Sequence, residues 1–337
     1  MSVFVPETMH ISVADQTSAL FTTALPDYRI LAISGADAES FLQGQISQDV
    51  NAASPSTARL SAYCTAKGRM LASFIFWHVA PLESGQPVSY QLMIRSDIAE
   101  AFIKRMRMFV LRAKVTIEDT GLAAFGYWVG SKSANQTSNA SDGSPALDTP
   151  EPWQVIKSEN RLQIGLPATN NVLRGLIIAD PSFSVDQAGK GIPEQWAVLD
   201  ILAGIPWVEA ANQEMFIPQD INLDAIGAVS FTKGCYPGQE VVARSHYRGK
   251  LKRRMLNGFC NAPGSKVTPG SDIMDRENTK EPSGQIVNVA ELGDRLYLLF
   301  EVRLEAAEHN QLSLGDQQGP DITLLPIPYA LDKPALA

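Results

Sequence analysis

The sequence predicts a chain that mixes helices and strands, α/β or α+β over its first three quarters, and closes with a small all-β module. Three observations carry that reading. At 337 residues the chain exceeds the size at which one hydrophobic core keeps growing, so two or three subdomains are expected. Up to about residue 250, strand-like runs alternate with segments of helical period. Beyond it the pattern changes to short strands broken by Pro/Gly loops, which favours a barrel.

Taken in order, "DYRILAISGADAESFLQGQISQDV" from about 27 to 50 gives a strand, a Ser34–Gly35 turn and a helix. Ser34 or Asp37 is its cap, and Phe41 and Leu42 point inward. "ARLSAYCTAKGRMLASFIFWHV" reads as two strands joined at Ala66–Lys67–Gly68, a hairpin signal. The strand "SYQLMIR" leads into a helix capped by Ser96, with Ile98, Phe102, Met106 and Phe109 on its apolar face. "VLRAKVTIED" then reads as a strand. Residues 131–150 are small, polar and unpatterned, and read as a flexible insertion. Strands resume at "WQVIKS" and "LQIGLP", and a helix over "PEQWAVLDILAGIP" stops at Gly204 and Pro206. The last quarter supplies strands at "RRMLNGFC", "GQIVNVAEL", "RLYLLFEVRL" and "DITLLPIP". No internal repeat is visible.

Composition excludes several classes. The 45% hydrophobic and 19% charged fractions are those of an ordinary globular protein. No apolar run approaches the roughly 18–20 residues that span a bilayer, and no signal peptide is expected at the N-terminus. Three widely spaced cysteines, Cys64, Cys235 and Cys260, are no disulfide framework, so a cytoplasmic chain with reduced thiols is expected. There is no Cys-x-x-Cys and no histidine-rich spacing, so no metal site is predicted. Phosphate-binding glycine loops and Gly-x-Ser-x-Gly are absent as well. The net charge of −8 argues against generic nucleic-acid binding, yet basic residues concentrate in two runs. Lys104, Arg105, Arg107, Arg112 and Lys114 form one; Arg244, Arg248, Lys250, Lys252, Arg253 and Arg254 form the other. Such runs are either solvated faces or sites for an anionic ligand or an RNA backbone.

The stretch "FTKGCYPGQEVVAR", residues 231 to 244, carries the most chemistry. It reads as a strand, a tight turn and a helix beginning at Pro237–Gly238. Cys235 falls just before the helix N-terminus with Lys233 two residues back, a setting that favours the thiolate, while Glu240 acts against it. Gln239 and Glu240 can return to free N–H groups of the first turn. A buried inert thiol is the competing reading. His246, eleven residues on, is either a partner for the thiol or a helix-surface residue.

"KGCYPGQEVVAR", followed by "YRGKLKRR", resembles the signature of the YgfZ family of folate-binding proteins. These are relatives of the glycine-cleavage aminomethyltransferase (T-protein) and of mitochondrial iron–sulfur assembly factors. The likeness extends to "FLQGQISQDV", "CTAKGRMLASF", "FVLRAKV" and "LAGIP", and so covers most of the chain outside 131–150. The resemblance implies an α+β, three-lobed aminomethyltransferase-like fold around a central funnel for tetrahydrofolate. Interleaved N-terminal α/β subdomains would occupy 1–248, and a C-terminal β-barrel 249–337. It further implies an accessory role in assembly or repair of iron–sulfur enzymes, among them enzymes that modify tRNA. Lys233, Gly234, Cys235, Tyr236, Gly238, Gln239 and Glu240 carry over as the family motif, with Cys235 as functional centre and Lys233 beside it.

A pterin needs a flat apolar wall and a few fixed polar partners, and its glutamate tail needs cations. Tyr63, Tyr236 and Trp196 are candidate walls, and Arg112, Lys67 and Arg244 are candidate partners for the carboxylates. One departure matters: the transferase relatives carry an Asp pair where Leu71 and Ala72 align, and a glutamate where Leu202 stands. Without those carboxylates ordinary glycine-cleavage chemistry is not expected. A folate-dependent one-carbon transferase and a tRNA- or protein-binding module remain the alternatives.

Overall fold

The structure is a computed structural model that describes residues 20–80, 88–129, 147–185, 188–248, 251–278 and 281–331. Of the expected 131–150 insertion, 131–146 lie outside the described residues, as does Lys250. The first strands are β1 (Leu20–Ala24) and β2 (Tyr28–Ser34), followed by helix α1 (Ala38–Gln43). Next come β3 (Arg59–Cys64), β4 (Met70–Val79), β5 (Ser89–Arg95), α2 (Ser96–Val110) and β6 (Thr116–Asp119). Strands β7 (Ala123–Val129), β8 (Val155–Lys157), β9 (Arg161–Thr169), β10 (Val172–Ala179) and β11 (Gly189–Lys190) lead to α3 (Pro193–Leu202). A long stretch without strands runs to α4 (Gln239–Arg248). The last part holds β12 (Arg253–Cys260), β13 (Asp272–Asp275), β14 (Gly284–Leu292), β15 (Arg295–Arg303), α5 (Leu304–His309), β16 (Leu312–Leu314) and β17 (Thr323–Leu325).

Three sheets result, ordered β11-β1-β7-β10-β9-β8, β3-β4-β5-β2-β6 and β16-β13-β14-β15-β12-β17. The first two are interleaved, because β1 belongs with β7–β11 while β2 begins the other sheet. Strand pairing is antiparallel except for β1 with β11, so the fold is α+β despite its strand–helix alternation. The third sheet curls on itself. Asp321, just ahead of β17, bridges Ser313 of the edge strand β16, which closes a small barrel.

Alternation placed most strands well; β5 begins and ends where its sequence pattern does. Three local expectations fail for identifiable reasons. Asp37 precedes α1 but makes no cap bond, because its carboxylate accepts the Lys114 amide at 2.7 Å instead. Arg95, not Ser96, is the N-cap of α2, and Phe109 lies in solvent at the end of that helix. The strand expected over "VLRAKVTIED" shrinks to Thr116–Asp119, since 111–115 forms a turn.

The sheets are locked together by buried polar groups. Arg174 of β10 donates to Asp200 of α3 at 2.6 Å, and the other Asp200 oxygen accepts the Trp207 indole N–H at 3.0 Å. Three buried asparagines then clamp the barrel to the 207–222 segment by copying backbone hydrogen bonds. Asn288 exchanges bonds with both N–H and C=O of Trp207, Asn222 does the same with Met255, and Asn212 donates to Val287 O. Arg254 on β12 closes the set with a 2.6 Å bond to Asp224. Among the described residues no helix is long and apolar enough to cross a membrane.

Candidate functional site

The motif 231–244 begins without a strand: residues 229–238 are irregular, and the helix starts at Gln239 rather than at Pro237. The backbone is instead held from outside. Lys233 is buried, and its Nζ donates to three carbonyls of one loop, Gln43 and Ile46 at 2.7 Å and Gln48 at 3.1 Å. An ammonium has three protons, so the set is complete. Burial pushes the Lys233 pKa down to about 8, and the Asp49 carboxylate opposes that shift. All three Lys233 donors are held by carbonyls, which makes Lys233 a brace as well as a cation in the motif.

That loop is anchored in turn. Ser47 donates to Ala228 O at 2.8 Å and accepts from the Ala62 amide, Ser230 N donates to Ser47 O at 2.9 Å, and the Gln48 side chain bonds Gly227 O. The stretch "FLQGQISQDV" is part of the family resemblance, and only its Phe41 and Leu42 stand out in sequence, as inward-facing residues. Its acceptors are backbone carbonyls, which carry no residue identity in a sequence.

At the other side of the corner Gly238 adopts φ +83°. A Cβ there would sit 2.5 Å from Thr65 O and 2.6 Å from the Gly68 Cα, so only glycine permits the approach to the β3–β4 hairpin. Lys67 is exposed at the tip of that hairpin, and Gly68 beside it faces Val241 of α4. Between brace and hairpin, Cys235 is exposed. The other two thiols are buried and free, and burial pushes Cys64 up to about 12. Gln239 is half-buried at the start of α4, while Glu240 and Arg244 are exposed. His246 is buried and stacks on Phe231 at 3.8 Å, which places it inside the corner's packing.

Tyr236 is buried with the Lys233 ammonium 5.3 Å from its ring centre. Its hydroxyl has no hydrogen-bond partner, and the Gln45 side-chain carbonyl in the bracing loop has none either. Native interiors rarely leave such groups without a partner. Burial raises the Tyr236 pKa well above the phenol range and keeps the hydroxyl protonated.

The remaining predicted residues do not join this corner. Tyr63 precedes Cys64 on β3; it packs edge-on to Phe102 of α2 at 5.5 Å, on the helix-covered side of the sheet. Trp196 is buried in α3 under the Arg174 guanidinium and against Gly126, in the other sheet, and is no accessible pterin wall. Arg112 is exposed in the turn after α2. The second basic run is not one cationic patch, since Arg253 bonds Glu301 at 2.7 Å and buried Arg254 is paired with Asp224.

The chain matches no family model. A tRNA-modifying protein YgfZ of Cronobacter sakazakii is 30% identical over 333 residues, 92% of this chain and 93% of that protein. The chain belongs to the YgfZ family. The YgfZ protein of Photorhabdus laumondii is 28% identical over 340 residues and 99% of each chain. Among solved structures, the glycine cleavage system aminomethyltransferase T of Bartonella henselae superposes with a TM-score of 0.59 at 12% identity. That likeness covers 86% of this chain and 79% of the other, and it is one of fold. In this YgfZ-family chain Leu71 is half-buried, and Ala72 and Leu202 are buried.

Proposed function

We propose that the chain is a cytoplasmic tetrahydrofolate-binding accessory protein that supports assembly or repair of iron–sulfur enzymes and, through those clients, tRNA modification. The carrying observation is an exposed Cys235 on a corner fixed from both sides, by the Lys233 brace and by the contact of Gly238 with Gly68. Such a corner holds a thiol in a set position while leaving it open to a large partner. Relatives named as tRNA-modifying proteins support the client side of the reading.

The folate side rests on fit. A pterin edge presents N–H donors and acceptors, which would complement the Gln45 carbonyl and Tyr236 hydroxyl, both buried, once binding opens the corner. Lys67 and Arg244, both exposed, are the cations available to a glutamate tail. Bound there, tetrahydrofolate would supply a carrier for a one-carbon unit. A one-carbon transferase is the second reading, favoured by the fold alone and weakened by Leu71, Ala72 and Leu202, which cannot move a proton. An RNA-binding module has less support, because Arg253 and Arg254 are already paired.

Calorimetric titration of the whole chain with tetrahydrofolate tests the assignment. The reading expects saturable binding that weakens about tenfold in Tyr236→Phe. Absence of heat up to millimolar ligand removes folate from the account.

A further inference from the structure

Away from the Cys235 corner, α2 and the tip of β3–β4 enclose a cavity of about 280 Å³ lined by Tyr63, Leu71, Phe102, Arg105, Met108 and Gln213. It lies on the helix-covered face of β3, and neither Cys235 nor Tyr236 lines it. Its floor is aromatic and apolar. Arg105 reaches Tyr63, yet its Nε is buried without a partner. Lys104 stands at the rim and is exposed.

Next to the cavity the surface is unusually apolar for a soluble face. Met108 is 59% exposed, Phe109 43% and Leu111 88%. Leu111 also holds φ +45°, ψ −102°, a conformation that costs a branched side chain energy and recurs at functional positions. Around these residues the chain is strongly one-signed. From Ala101 to Ile117 there is no acid, while Lys104, Arg105, Arg107, Arg112 and Lys114 are all cations. The protein as a whole carries −8, so this patch runs against its own average.

We propose that this cleft docks a partner protein, which inserts one large apolar side chain between β3 and α2 and sets acidic residues against Lys104, Arg105 and the cations after them. The cleft of about 280 Å³ has room for one anchoring side chain. The exposed apolar side chains of Met108, Phe109 and Leu111 beside the cations match a protein surface better than an RNA backbone, which offers anions but no apolar side chains. An anionic membrane would meet the protruding Leu111 but would leave the concave part unfilled. Charge complementarity then asks for an acidic rim on the partner, which steers the encounter. The assignment does not depend on folate binding or on Cys235.

Selection of a random dodecapeptide display library on the full chain tests it. Enriched peptides are expected to carry Trp, Phe or Leu beside Asp or Glu. A synthetic representative should bind the wild type at least about tenfold tighter than Lys104→Glu/Arg105→Glu or Met108→Glu. Lys104→Glu alone, at an exposed position, keeps the test valid should the double variant unfold, and should show weaker binding that tracks salt. Enrichment of basic or purely polar peptides, or equal binding to every variant, overturns the proposal. So does sedimentation of the wild type, but not Lys104→Glu, with phosphatidylserine-rich vesicles, which would assign the patch to a membrane.

Discussion

Two corners of this molecule look alike in sequence and are built differently. Ahead of α1, Ser34–Gly35 turns a strand into a helix; ahead of α4, the Cys235–Gly238 segment turns an irregular chain into one. Both use a glycine at positive φ pressed against another backbone. A Cβ on Gly35 would lie 2.0 Å from Lys114 O, and one on Gly238 2.5 Å from Thr65 O. The first corner inherits its position from β2, which is hydrogen-bonded on both sides. The second has no strand, and the Lys233 side chain, bonded to backbone carbonyls of residues 43–48, takes over. Freed from a sheet, that corner can leave a thiol in solvent. A corner set by a sheet is rigid for stability, and a corner set by a brace is rigid for presentation.

The comparison can be broken at either end. Gly35→Ala is expected to be the most damaging change, because strain at φ +131° adds to a clash with the Lys114 carbonyl. About 4 kcal/mol should be lost in urea unfolding. Lys233→Met comes next. It leaves three loop carbonyls without their donor while relieving the cost of a buried charge, for a net loss of about 3 kcal/mol. Hydrogen exchange should show faster opening confined to 43–48 and 229–238; uniform acceleration would mean that Lys233 is not a local brace.

Tyr236→Phe sharpens the second corner with a smaller effect of opposite sign. Removing a buried hydroxyl that has no partner should leave the apo protein equally stable or stabilise it by up to about 1 kcal/mol. A clear loss of stability would mean that the hydroxyl is satisfied in the folded chain and is not held for a ligand.

A third site, in the barrel, should respond only to pH. His309 Nδ1 lies 2.8 Å from the Asp275 carboxylate, and that bond raises the His309 pKa above its usual 6.5. The folded state therefore holds this proton more tightly than the unfolded state. Its contribution is complete below pH 6.5 and disappears as pH rises through the folded value. His309→Gln should flatten that part of the stability–pH curve measured by thermal melting.

What the sequence disclosed follows the range of the interaction. Strands such as β5 and the helix over 96–110 are written in local alternation and period, and both were legible. The Cys235 motif was legible as well, including its glycine. Its setting was not. "FTK" has the composition of a strand, but its backbone partners are Gln43, Ile46 and Gln48, nearly two hundred residues away and present only as carbonyls. The same holds for Asn212, Asn222 and Asn288, which no local pattern singles out and which act as buried clamps. Trp196 and Tyr63 show the converse limit. An aromatic residue suited to a pterin is equally suited to a core, and both are core.

The central claim is that the corner exists to present Cys235. The most direct measurement is iron–sulfur-enzyme activity in a strain lacking this protein, supplied with wild type, Cys235→Ala or Cys64→Ala at matched abundance. The account predicts that Cys64→Ala restores activity and Cys235→Ala restores essentially none, although its stability stays within about 0.5 kcal/mol of wild type, as expected for an exposed side chain. Equal rescue by Cys235→Ala would contradict it.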